Sequence, residues 1–145
     1  MKTDTNMETQ KKTPSQIVDM MYDKDAFSQW LGIERIEDAP GRSVLRMTVR
    51  PEMTNGFNIA HGGITFSLAD SALAFACNSQ GKKSVSIECS INHIKQVNVG
   101  DVLTAVATES TKSIKLGIYH IVVTNQDDVE VALFKGIVYR TSQDW

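Results

Sequence analysis

Basic charge is not in surplus in this chain. Fifteen Lys and Arg stand against 17 Asp and Glu, a formal net charge of −2. A protein whose main partner is nucleic acid needs an excess to neutralise phosphates, so that class is set aside. Cysteine is scarce too: Cys77 and Cys89 sit in neither a CxxC nor a CxxH pattern. His61, His93 and His120 have no metal-ligand spacing, so no metal site is expected. Both cysteines fall within apolar runs and read as buried, reduced thiols, with nothing to suggest a secreted disulfide scaffold. Long apolar runs are missing as well. The first residues, Met1-Lys2-Thr3-Asp4-Thr5-Asn6, lack the apolar segment of a signal peptide. No stretch is long enough to span a bilayer. The expectation is a soluble, cytoplasmic protein without a membrane partner. Walker, GxGxxG and GxSxG patterns are absent, as are internal repeats and any domain linker.

What is present is an acid in an apolar setting. The segment from Gly63 to Cys77 is apolar or small almost throughout, and Asp70 is its one charged residue. A helix this apolar is expected to be buried on most faces. A carboxylate there is costly, or has a raised pKa, unless it finds partners. Directly upstream stands His61-Gly62-Gly63, with two glycines where such a helix begins.

The rest of the chain arranges itself around this helix. Residues 1–12 read as a flexible tail and residues 13–145 as one domain. Thr13-Pro14-Ser15-Gln16 is a helix start, with Thr13 as N-cap, Pro14 at the first helical position and Gln16 completing a capping box. That helix is expected to run to just before Trp30 or Leu31. Two strands over 32–37 and 42–50 follow, joined by a Pro40-Gly41 turn. An irregular segment, 51–60, leads into the apolar helix, which stops near Gly81. Val85, Ile87, Cys89 and Ile91 then alternate with polar residues, a strand with one face toward a core. His93 shares that apolar register and reads as a core or interface histidine. Strands over 101–110, 115–124 and 129–140 complete the pattern. The fold class is α+β: one antiparallel sheet wrapped around a long central helix.

Thioester cleavage needs donors for a carbonyl oxygen that gains negative charge, and a base or nucleophile. Backbone N–H groups of Gly62 or Gly63 at a helix start suit the first need, with no side chain to block approach. Asp70 suits the second. Asp70 lies seven residues beyond Gly63, roughly 10 Å along a single helix. One helix does not bring both groups to one carbonyl. Two antiparallel copies, pooled across a dimer, would. Each element also has a plainer reading. His61-Gly62-Gly63 alone is equally a loop with a close helix–strand contact. Asp70 alone is equally a buried acid bonded to Ser67, Ser71 or backbone. Asn55-Gly56 alone makes turns routinely.

Taken together, Asn55-Gly56, His61-Gly62-Gly63, Phe66-Ser67-Leu68-Ala69-Asp70 and Ala76-Cys77-Asn78-Ser79-Gln80-Gly81 resemble the hotdog-fold acyl-CoA thioesterases of the phenylacetate-degradation (PaaI) type. The later Asn125-Gln126 and Val131-Ala132-Leu133-Phe134-Lys135-Gly136 are similar to that type also. The likeness runs from about Ile17 to Arg140, and its specific part is His61 to Gly81.

The resemblance implies a hotdog fold. It also implies dimers that join sheets edge to edge, dimers of dimers, and active sites shared between two chains. It makes Asp70 the nucleophile or the general base, and Gly62 N–H the donor to the thioester oxygen. Asn55 would place the attacking water or the acid. His61 would shape the helix start. Gly63, Ser71 and Lys95 are the expected substrate-binding residues. The substrate implied is an acyl-CoA, phenylacetyl or a ring-hydroxylated derivative first and a medium-chain aliphatic acyl group as the alternative. No cofactor is implied, CoA being part of the substrate. A non-catalytic acyl-CoA-binding module and a His-dependent dehydratase are the rival functions on this fold. The chain departs from many relatives at two places. Ala74 stands one turn after the acid, where a Ser or Thr is common. Lys95 stands where an Arg-Pro is common, which removes the guanidinium fork for phosphate. Lys82, Lys83, Lys112 and Lys115 are further cations for CoA phosphates, though solvated lysine is the default for each.

Overall fold

The structure is a computed structural model, and it describes residues 10–145. Most of the expected tail, residues 1–9, lies outside the described residues. Gln10 to Lys12 run without regular secondary structure.

The capping box at Thr13 forms as expected, with its hydroxyl accepting from Gln16 N–H and the Gln16 side chain accepting from Thr13 N–H. Helix α1 spans Pro14–Tyr22. It does not continue to Trp30, which corrects the expectation of one long helix. Asp25 ends that possibility: its carboxylate accepts from Ser28 N–H and starts a new short helix, α2, over Ala26–Trp30. An Asp that caps a new start competes with continuation of the old one.

Strands β1 (Glu34–Ala39) and β2 (Arg42–Thr48) form a hairpin. A 3₁₀ turn at Pro51–Met53 and an isolated bridge between Thr54 and Ala60 then lead into α3, Gly62–Asn78. Four strands follow: β3 (Lys82–His93), β4 (Val102–Lys112), β5 (Leu116–Thr124) and β6 (Glu130–Asp144). All strand pairings are antiparallel, in the order β1-β2-β4-β5-β6-β3. The sheet curls around α3, the arrangement expected of a hotdog fold.

The core lies between α3 and the concave face of the sheet. Leu68, Leu73 and Phe75 of the helix are buried against a layer that includes Leu45, Leu103, Ile121 and Phe134. Each such side chain contributes roughly 1.5–3 kcal/mol by leaving water. Small residues let the helix come close. At Gly136 an added Cβ would stand 2.4 Å from Leu73 Cδ2, so β6 passes directly under that leucine.

One strand behaves differently from expectation. Val85 and Ile87 are each 59% exposed rather than turned into the core, and Ser84 is buried instead. Two slips in the β3–β6 register, between Lys82 and Ser84 and between Ser86 and Glu88, break the alternation. The strand is also the sheet's outer edge, so among the described residues its far side meets no neighbour. A long apolar edge of this kind is a ready template for pairing with another chain.

Candidate active site

Helix α3 begins in an unusual way. His61 is its N-cap, with φ −63° and ψ 136°, and its Nδ1 accepts from Gly63 N–H at 2.8 Å. Ile64 N–H donates to His61 carbonyl at 2.9 Å. Gly62, the first helical residue, lies at a position whose N–H has no intrahelical acceptor. Among the described residues no acceptor meets it. Of the two glycines expected to donate, Gly63 is therefore committed to the histidine cap and Gly62 remains open. Gly63 has a steric role as well: a Cβ there would stand 3.0 Å from His61 Nδ1.

Gly62 opens on a cavity of about 300 Å³ shared with Asn55, Thr65, His93 and Lys95. Asn55 shapes the loop before the helix. Its Oδ1 accepts from Phe57 N–H at 2.9 Å and its own N–H donates to Ile59 carbonyl at 2.8 Å. His93 is exposed, not in the core. Its Nε2 lies 3.2 Å from the point where a Gly62 Cβ would be. Sequence reasoning placed this residue in the core or an interface because it shares the register of Ile91, and its exposure in the single chain corrects the core reading. What sequence reasoning overlooked was distance: β3 carries Cys89 beside Asp70, and four strand residues later, ~13 Å, comes His93. Along α3 the eight residues from Asp70 back to Gly62 cover ~12 Å, so the two stretches match.

Asp70 sits at the other end of this span. It is half-buried, less enclosed than the apolar helix suggested. Its Oδ1 lies 3.9 Å from Cys89 Sγ, and it lines a cavity of about 250 Å³ with Leu73, Cys77, Val85 and Ser86. Burial pushes its carboxyl pKa above the ordinary value, while the Cys89 thiol donating to it pulls the other way. Burial, and then the nearby Asp70 charge, push the Cys89 thiol up, so it stays a protonated donor. Burial pushes the Cys77 thiol up to about 12, which makes it inert. The two cysteines are free.

Ser71 does not reach Asp70. Its hydroxyl is 2.8 Å from Ser28 Oγ, which in turn donates to Asp25 Oδ2 at 2.6 Å, so it ties α3 to α2. Within one chain the fold thus gathers Asn55, His61, Gly62, Gly63 and Lys95 at the helix mouth and leaves Asp70 two turns away. Among the described residues there is no cluster of three or more His, Cys, Asp or Glu able to hold a metal ion. No helix among them is long and apolar enough to cross a membrane.

Known proteins share this fold. The sequence profile of the thioesterase superfamily matches residues 57–132. The chain is 43% identical over 120 residues to acyl-coenzyme A thioesterase PaaI of Escherichia coli strain K12, covering 83% of this chain and 86% of that protein. The solved structure of E. coli PaaI, from the phenylacetic acid degradation operon, superposes with a TM-score of 0.88 at 40% identity, over 90% of this chain and 95% of the other. A hypothetical thioesterase protein from Streptococcus pneumoniae TIGR4, solved with coenzyme A, gives a TM-score of 0.81 at 26% identity, over 89% of this chain and 99% of the other.

Proposed function

This chain belongs to the thioesterase superfamily, as a hotdog acyl-CoA thioesterase, and we propose that it hydrolyses an aromatic, phenylacetyl-type acyl-CoA at sites shared between two copies of the chain. The observation that carries the composite site is the separation of Gly62 from Asp70 on one straight helix. Neither group reaches a carbonyl held by the other within one chain, and the exposed apolar edge of β3 offers a surface for a second copy.

In this reading the thioester oxygen rests on Gly62 N–H at the positive end of α3. Asp70 of the facing copy removes a proton from water, and the hydroxide attacks the carbonyl carbon. The tetrahedral intermediate collapses by breaking the C–S bond. The electron pair leaves on sulfur, and the acid formed on Asp70 returns its proton to the CoA thiolate. In the alternative route Asp70 attacks the carbonyl carbon directly, and the C–S bond breaks with its electron pair leaving on the CoA sulfur. Water then opens the mixed anhydride, giving the free acid, restoring Asp70 and supplying the proton that the thiolate takes up. Asn55 holds the loop beside Gly62, and Lys95 at the cavity rim is placed to meet CoA phosphate. The aromatic acyl group is supported by likeness to PaaI, and CoA itself by the S. pneumoniae relative solved with it.

A panel of acyl-CoAs, phenylacetyl-CoA and medium-chain acyl-CoAs among them, tests this by release of free CoA thiol. Fastest release from phenylacetyl-CoA is expected. Asp70→Asn should cut turnover by at least ~100-fold while the oligomer stays intact. Binding without release would point instead to a non-catalytic module, and near-normal turnover in Asp70→Asn would remove the acid from the mechanism.

A further inference from the structure

We propose that His93 is a catalytic residue of this reaction: its Nε2–H is the second donor of the oxyanion hole, acting with Gly62 N–H on the same thioester oxygen. The inference rests on the thioesterase reading and adds a residue to it.

An oxygen that gains a full negative charge in the transition state is best met by more than one preorganised donor. Among the described residues, the backbone at the helix mouth supplies one, Gly62 N–H. Gly63 N–H is spent on His61 Nδ1, and Ile64 N–H on His61 carbonyl. A second donor must come from a side chain that faces the same cavity. His93 is so placed. It ends β3 on the register of Cys89 and Ile91, the register that meets α3, and its Nε2 stands 3.2 Å from the Gly62 Cβ position. A larger residue at position 62 would displace the ring from the N–H, so glycine is what lets the two groups open side by side. Nε2 donates both in the Nε2–H tautomer and in the imidazolium, so the role survives either charge state. Among the described residues of the same chain, no carboxylate lines this cavity to hold the imidazole N–H away from the oxygen. In the step, the carbonyl π pair moves onto the oxygen held by Gly62 and His93. It returns to re-form the carbonyl as the C–S bond breaks.

Steady-state hydrolysis of phenylacetyl-CoA and octanoyl-CoA by the full-length wild type, His93→Leu, His93→Gln and His93→Asn tests this, with thermal unfolding recorded for each. The Gln amide nitrogen occupies the place of Nε2, whereas that of Asn falls short of it. His93→Leu and His93→Asn should lose about 100- to 1,000-fold in kcat, with KM within roughly threefold of wild type. His93→Gln should recover to within about tenfold of the wild-type kcat. If His93→Leu does not fold, the contrast between Gln and Asn decides. Three results overturn the proposal: kcat unchanged in Leu and Asn, a loss confined to KM, or Gln as slow as Asn. A wild type that releases no thiol removes the thioesterase reading and this inference with it. A wild type that is active and fails with Asp70→Asn, but ignores all three His93 changes, removes this inference alone.

Discussion

The Asp70 carboxyl is pulled in two directions. Apolar neighbours Leu73, Val85 and Cys77 strip it of water and favour its neutral form, while Cys89 donates a weak hydrogen bond to the charged form. A base or nucleophile works only when ionised. The acid limb of kcat/KM is therefore expected above the ordinary carboxylate range, with the rate rising as pH rises through it. Cys89→Ala deletes the one bond that favours the carboxylate, so its limb should move to still higher pH. A pH–rate profile of the two proteins checks this, and a limb that stays or moves down argues against the Cys89 role. The same shift has a sign for stability. Between the ordinary aspartate pKa and the raised one, the folded chain holds more proton than the unfolded chain, so stability falls as pH climbs through that window. Asp70→Asn removes the penalty. Its Tm should exceed wild type at neutral pH, with the gap closing in acid, as differential scanning calorimetry would show. At this scale Asp70, Gly62 and His61 stand out in the sequence as candidates, because an acid in an apolar helix and two glycines at its start are local facts. His93 does not, since its approach to Gly62 depends on which face a strand turns to a helix far away in sequence.

Elements show the same division. The Thr13 capping box and the turn at Pro40-Gly41 form where short-range chemistry dictates. The break between α1 and α2 was missed because Asp25 works as a cap only once Ser28 N–H is in reach, and Ser28 is itself held by Ser71 on α3. The exposure of Val85 and Ile87 was missed because a strand's alternation does not reveal whether it is an edge or where its register slips. Among the glycines, the closest approach is that of Leu73 of α3 to Gly136 of β6, which leaves no room for a Cβ. Gly136→Ala should force the helix off the sheet and destabilise the protein by ~1–3 kcal/mol, read by urea unfolding. Wild-type stability in that variant would mean that Leu73 has another rotamer to move into.

For the whole molecule, the proposed mechanism divides one chain's site groups into two halves about 12 Å apart along α3. In that proposal the donor half is Gly62 with His93, and the acid half is Asp70 beside Cys89. A two-fold axis midway along this span, near Phe66 on the helix and Ile91 on the strand, would bring each donor half opposite the partner's acid half. Both residues are half-buried and apolar in the single chain. Arithmetic on helix rise suggests a shared site from the sequence alone, but it offers no means of placing an axis. Mixing two inactive variants is the most direct measurement. Asp70→Asn removes the acid half. Gly62→Pro removes the N–H at a first helical position, where proline is tolerated. Each should be inactive alone. Co-expressed, they should regain thioesterase activity, because one of the two sites in every mixed pair keeps Gly62 from one chain and Asp70 from the other. Mixed pairs, proved by mass spectrometry, that stay as inactive as their parents would contradict the shared site.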